Sequence, residues 1–233
     1  MIAAIAFDKD GTLFDFAATW AGWTADLVAL LAEGRPGLDS QLSQAIGFDL
    51  ERRVFAPSSP VISATPHDIA LALLPHLPGW QVGTLTDRMN ALAAEARQAE
   101  VVPLRPLLLH LKAEGVAIGL VTNDAEAPAR VHLRAAGIID LFDFIAGSDS
   151  GHGAKPGPGQ LLAFAAATRI APAASLMVGD SLHDLHAGRA AGMRTVGVLT
   201  GLAGQDELAP HADVVLPDIG ALPGWIARLP HTL

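Results

Sequence analysis

The feature that most constrains the fold is a set of six short apolar runs that do not alternate. They lie at residues 2–7, 116–121, 144–146, 176–178, 195–199 and 213–216. A strand with one wet face alternates apolar and polar residues; a strand that stays apolar throughout needs cover on both faces. Helical stretches separate the later runs, at 104–114, 128–136, 158–168 and 182–191. Strand–helix alternation of this kind predicts an α/β fold, a doubly wound, Rossmann-like parallel sheet with helices on both sides.

One interval breaks the rhythm. Residues 15–100 show helical periodicity and no convincing strand. Trp20, Trp23, Leu27, Leu30 and Leu31 share one helical stripe, and Leu85, Met89, Leu92 and Ala96 share another. A connection of roughly 85 residues is far longer than connections usually are, so an inserted all-helical domain is expected there. The expected division is a core of residues 1–14 and 101–233 and a cap of residues 15–100.

Composition narrows the chemistry. There is no cysteine, which excludes disulfides, thiolate metal sites and a cysteine nucleophile. A formal charge of −9 argues against nucleic acid and against an anionic membrane surface as partners. The apolar opening lacks a basic flank and is cut short by Asp8, so neither a signal peptide nor a membrane span is expected. The default expectation is a soluble, cytoplasmic protein, with monomer and homodimer both open.

Four polar clusters stand at predicted strand ends or between them. The first strand runs into Phe7-Asp8-Lys9-Asp10-Gly11-Thr12-Leu13. Two carboxylates flanking one residue suit a hard cation such as magnesium, and Gly11 permits a tight turn. An acidic turn after a buried strand is the plainer explanation of that loop taken alone. A second cluster, Gly179-Asp180-Ser181-Leu182-His183-Asp184, places Asp180 at a strand end and Asp184 one turn into the next helix. Helix capping accounts for one of those residues but not for the pair. Thr122-Asn123-Asp124 offers a hydroxyl and backbone N–H groups at a strand-to-helix junction. Lys155 sits in a loop rich in glycine and proline, where a lone lysine is ordinarily a solvated charge. Placed on one parallel sheet, all four fall near the crevice beyond the carboxyl ends of the strands, where open α/β sheets bind ligands.

In content, order and spacing the motifs DKDGT at 8–12, LVTND around Thr122, the Lys155-Pro156 dipeptide and GDSLHD at 179–184 resemble the haloacid dehalogenase (HAD) superfamily, in its phosphoglycolate-phosphatase-like branch. The resemblance spans nearly the whole chain and implies a cap that closes over a small phosphorylated metabolite. It implies Asp8 as nucleophile and magnesium ligand. Asp10 would be general acid and then base, its backbone carbonyl also binding the metal. Thr122, Lys155 and the backbone N–H of Asn123 would hold phosphoryl oxygens. Asp180 would bind magnesium directly, and Asp184 would act through a metal-bound water or orient Lys155. Lys9 stands where relatives usually carry an apolar residue, and no part in the chemistry is expected of it.

Four ionised carboxylates against Lys155 and one magnesium leave a net charge of −1, and protonating Asp10 neutralises it. That balance predicts strict metal dependence and assigns the proton to Asp10. Two rivals remain open: a sugar-phosphate mutase with the same motifs and a different cap, and a phosphorylated receiver-type signalling module. His183 and His186, three apart on one helix, are expected to be ordinary helix-face residues rather than a second metal site. Phe16, Trp20 and Trp23 lie near the expected cap entrance, where one is expected to line the substrate pocket.

Overall fold

The computed structural model describes residues 2–229; Met1 and residues 230–233, which the expected core includes, lie outside the described residues. The elements in chain order are β1 (Ala4–Phe7), α1 (Phe16–Ala32), α2 (Leu38–Ala45), β2 (Phe48–Asp49), β3 (Val54–Phe55), α3 (Pro66–Leu73), α4 (Val82–Ala94), α5 (Leu104–Ala113), β4 (Ala117–Val121), α6 (Glu126–Ala135), β5 (Phe144–Ala146), α7 (Gly159–Thr168), β6 (Ser175–Gly179), α8 (Leu182–Ala190), β7 (Arg194–Val198), α9 (Gln205–Leu208), β8 (Val214–Leu216) and α10 (Leu222–Ile226).

Six strands form one parallel sheet in the order β5-β4-β1-β6-β7-β8. The chain leaves β1 towards β5 on one side and resumes with β6 on the other. The strand order therefore reverses at β1, and the crevice beyond its carboxyl end is the switch point of the sheet.

The absence of alternation in the strands has a direct cause. Ile5 and Phe7 of β1 join Ile118, Leu120, Leu176 and Val178 in a cluster completed by Leu104, Leu108 and Leu111 of α5 and Leu133 of α6. Ala4 and Ala6 face the other way, with Val121 and Met177, against Leu161 and Phe164 of α7 and Ala187 of α8. Both faces are dry, so both positions of the two-residue period are apolar.

Residues between β1 and α5 build a separate apolar cluster from Trp20, Trp23, Leu27 and Leu31 of α1, Leu42 of α2, Leu73 of α3, and Leu85 and Met89 of α4. Asp15 caps α1 by accepting from the Ala18 N–H at 2.7 Å, and Thr65 with Asp68 forms a reciprocal capping box at α3. The expectation of an all-helical insert misses one element: β2 and β3 pair as a short antiparallel ribbon. Two residues per strand are too few to show a period of two, so the ribbon leaves no legible pattern. No helix among the described residues is long and apolar enough to cross a membrane.

Candidate active site

The site starts where β1, β4 and β6 end. Asp8 follows β1 and donates its backbone N–H to Val178 O at 2.9 Å, so the sheet ladder holds the first residue of the acidic loop. Gly11 then turns the chain at φ +78°, a conformation costly for other residues. A Cβ at Gly11 or at Gly201 would overlap the carboxylate of Asp180. Two glycines thus let backbone press against one acid, which fixes its position.

Lys155 is 6% exposed, and all three of its ammonium donors are engaged. They reach Asp8 Oδ1 at 2.5 Å, Asp184 Oδ1 at 2.6 Å and the Val121 carbonyl at 3.0 Å. Burial alone would pull this lysine down, but Asp184 and Asp8 outweigh it and hold the ammonium charged. The other oxygen of Asp184 accepts from the backbone and hydroxyl of Ser181, at 3.1 and 2.7 Å. With both oxygens occupied, Asp184 holds Lys155 in place.

Carboxylate oxygens of Asp8, Asp180 and Asp184 lie within 4.8 Å of one another. Burial first, then Lys155 pulling down and Asp184 and Asp10 pushing up, leave Asp8 at about 7. Asp180 is held well above the carboxylate range by burial and by the charges of Asp184 and Asp8. Three clustered acids balanced by one lysine form a hard-oxygen donor set in want of positive charge. That chemistry fits a divalent cation, and magnesium favours such donors.

Asp10 sits in different company. Its carboxylate meets the Lys9 ammonium at 2.9 Å, and the same ammonium reaches Asp124 at 2.8 Å. Burial raises Asp10 most, Lys9 pulls it down and Asp124 pushes it up, for a value of about 6. Lys9 is fully buried and also contacts His132 Nδ1 at 3.2 Å. His132 Nε2 lies 2.8 Å from the Ala93 carbonyl of α4. A carbonyl only accepts, so Nε2 carries the proton and Nδ1 accepts from Lys9. Lys9, of which no part in the chemistry was expected, is ion-paired with Asp10. A charge at 0% exposure needs partners, and the nearest carboxylate is Asp10.

The remaining residues converge as well. Thr122 is buried and lines the cavity, and its hydroxyl accepts from the Asp124 N–H at 3.1 Å. The Asn123 side chain donates to Ser63 O at 2.8 Å and to Lys155 O at 3.0 Å, and accepts from Lys155 N–H at 2.9 Å. It therefore ties the insert to the sheet and positions the lysine loop, a structural task that the motif did not reveal. Gln160, fully buried, holds the same loop through Thr122 O and Gly153 O.

Asp8, Asp10, Thr122, Asn123, Lys155, Asp180 and Asp184 all border one cavity. Phe16, Trp20, Val61 and Ile62 from the insert face them, and His183 joins the rim. His183 and His186 do not act as a pair: His186 contacts His211 at 3.3 Å instead. The buried cluster of Lys9, Asp124 and His132 around Asp10 is a feature that sequence reasoning missed. The legible hint was a lysine within an otherwise apolar context beside two acids.

The chain is 32% identical over 221 residues to the phosphoglycolate phosphatase of Nitrosospira multiformis, covering 94% of this chain and 92% of that one. It is 30% identical over 217 residues to the phosphoglycolate phosphatase of Escherichia coli K12, covering 86% and 82%. Among solved structures, CbbY from Rhodobacter sphaeroides in complex with phosphate superposes with a TM-score of 0.71 at 22% identity, covering 95% of this chain and 96% of that one. A HAD phosphatase from Thermococcus onnurineus gives 0.68 at 20% identity, covering 97% and 98%. These two establish likeness of fold. The profile of haloacid dehalogenase-like hydrolases matches residues 5–198, and with that match the chain belongs to the haloacid dehalogenase-like hydrolase family.

Proposed function

We propose that this hydrolase is a magnesium-dependent phosphatase of a small phosphorylated metabolite, working through an aspartyl phosphate on Asp8. The observation that carries this reading is the separation of two acids of one loop. Asp8 lies among Asp180, Asp184 and Lys155, whereas the carboxylate of Asp10 turns to Lys9. Two carboxylates in unlike surroundings suit two unlike roles.

Magnesium would be held by Asp8, Asp180 and the Asp10 backbone carbonyl, with Asp184 behind them, and would supply charge neutralisation at the phosphoryl group. Asp8 attacks phosphorus as the bond to the leaving oxygen breaks, and Asp10 gives that oxygen its proton. Asp10, now a carboxylate, takes a proton from water as the water attacks the phosphorus of the aspartyl phosphate. Phosphate leaves and Asp8 is restored. Lys155, Thr122 and the Asn123 N–H hold the phosphoryl oxygens throughout. Dividing the displacement in two and meeting its charge with fixed groups are the two sources of acceleration.

In this reading residues 15–100 act as the cap, closing over the crevice and excluding water. The relatives named phosphoglycolate phosphatase make that compound one candidate substrate.

The test is phosphate release from a panel of small phosphoesters, including p-nitrophenyl phosphate, with magnesium and with chelator. Chelation is expected to abolish release. Asp8→Asn is expected to lower kcat by about a thousandfold or more, roughly 4 kcal/mol of barrier. Wild-type turnover in Asp8→Asn would remove Asp8 from the mechanism. Isomerisation of a hexose phosphate without release would point to a mutase instead.

A further inference from the structure

We propose that Lys9 is a positioning residue for the carboxylate of Asp10, and that Lys9 takes its own place from the insert, so that the proton donor is aimed only when residues 15–100 rest on the sheet. This rests on the phosphatase reading above, in which Asp10 protonates the leaving oxygen, and adds a residue to it.

A proton donor must lie within hydrogen-bond reach of the oxygen it serves, and a displacement of about 1 Å costs up to about a hundredfold in rate. Asp10 borders the cavity, and both oxygens of its carboxylate lie against Lys9 Nζ, at 3.0 and 2.9 Å. Lys9 is fully buried and is not among the residues that border the cavity, so it acts through Asp10 rather than on substrate. An ammonium on a flexible four-carbon stem is a poor clamp unless its head is tied. Here the head meets Asp124 at 2.8 Å, His132 Nδ1 at 3.2 Å and the ring of Trp20, whose centroid is 5.2 Å away.

Two of those ties lead into the insert. Trp20 belongs to α1, the first helix of residues 15–100, and is buried. His132 belongs to α6 of the core, but its Nε2–H donates to the carbonyl of Ala93 at 2.8 Å, near the end of α4. That bond sets the tautomer: with the proton on Nε2, Nδ1 has a lone pair for the ammonium. With α4 withdrawn, nothing holds the proton there, and a proton on Nδ1 would face the lysine donors. Lys9 would keep its charge partners Asp10 and Asp124 and lose the two contacts that aim it. Since α1 and α4 are the first and last helices of the insert, the place of Asp10 depends on how both ends of that segment are seated.

The experiment measures kcat/KM with magnesium for p-nitrophenyl phosphate and for the alkyl phosphoester of the panel that wild type hydrolyses fastest, in wild type, Lys9→Met, His132→Leu and Asp10→Asn. An alkoxide needs a proton as it leaves, whereas p-nitrophenolate leaves as a stable anion, so a misplaced Asp10 harms the alkyl ester alone. kcat/KM covers the steps up to departure of the alcohol, so the later attack of water does not enter. The ratio of the two esters on one preparation cancels the folded fraction, and a merely structural defect leaves it unmoved. Lys9→Met is expected to lower the alkyl ester by about thirtyfold or more and p-nitrophenyl phosphate by less than about threefold. His132→Leu keeps the lysine charge and Asp10, and is expected to move the ratio the same way by about threefold to tenfold; it carries the test should Lys9→Met not fold. A ratio that shifts in Asp10→Asn but in neither of the other variants overturns the inference and leaves the phosphatase reading standing. So does a rise in alkyl-ester turnover on losing Lys9, which would make the lysine a latch. A shift in Lys9→Met without one in His132→Leu removes the insert from the proposal. An unmoved ratio in Asp10→Asn removes the proton donor itself, and absence of release from every ester overturns the phosphatase reading as a whole.

Discussion

Removing the charge of Lys9 tests whether the buried ion cluster beside Asp8 is organised as described. The side chains of Lys9, Asp10 and Asp124 are 0%, 13% and 17% exposed, so the cluster belongs to the buried regime rather than to surface pairs worth under about 1 kcal/mol. Lys9→Met keeps much of the apolar stem and leaves two carboxylates facing each other. Taking one partner from a buried pair costs about 3–5 kcal/mol. For a chain of this size each kcal/mol moves the melting temperature by about 2–4 °C, so the expected loss is about 6–20 °C. The pH dependence follows from Asp10, which stands at about 6 with Lys9 present and rises further without it. A raised folded-state carboxylate binds protons that the unfolded chain has released, so stability falls as pH rises from about 4 through the folded value. The penalty of Lys9→Met is therefore largest above pH 7 and shrinks towards pH 4. Urea unfolding of wild type, Lys9→Met, Asp124→Asn and the double variant measures it. The double variant is expected to recover at least about 1 kcal/mol relative to the sum of the single changes. A loss under about 0.5 kcal/mol for Lys9→Met, unchanged between pH 5 and 8, would refute the ion-cluster account.

Three further expectations concern neighbouring parts of the site. Gly11→Ala forces a side chain into φ +78° and against the Asp180 carboxylate, so it is expected to cost about 1–2 kcal/mol in stability and to weaken magnesium activation, read from metal-dependence curves. Asn123→Ala severs three hydrogen bonds to Ser63 and Lys155; a loss of about 1–3 kcal/mol is expected, with a raised KM as the lysine loop loosens. An unchanged KM would deny Asn123 its positioning task. His132 is pushed down to about 4 by burial and by Lys9. Its folded value lies below its unfolded one, so stability is full above pH 6.5 and is lost as pH falls towards 4, by up to about 3 kcal/mol. His132→Gln is expected to flatten that acid slope in urea midpoints, and an unaltered slope would locate the titration elsewhere.

The family's chemistry was legible because its parts are local. Asp8, Asp10 and Asp180 stand at the ends of runs whose apolar character follows from burial on both faces, and strand ends of one parallel sheet face one crevice. The buried stripe of α1 was legible by the spacing of its tryptophans and leucines. The β2–β3 ribbon was not, because a two-residue strand carries no period.

What only the tertiary structure decided is which charge meets which. Lys9 and Lys155 read alike as isolated lysines, yet each is buried between two acids, one pair for Asp10 and Asp124 and the other for Asp8 and Asp184. Partners 147 and 29 residues away for Lys155, and 123 for the Lys9–His132 contact, leave no local pattern in the chain. Strand and helix periods are written residue by residue, but the field at a site is a sum over groups that meet only when the chain has folded. The sequence by itself determined that Asp8 stands at the carboxyl end of a strand in a parallel sheet. The fold decided that Asp8 and Asp10, two residues apart, belong to separate ion clusters.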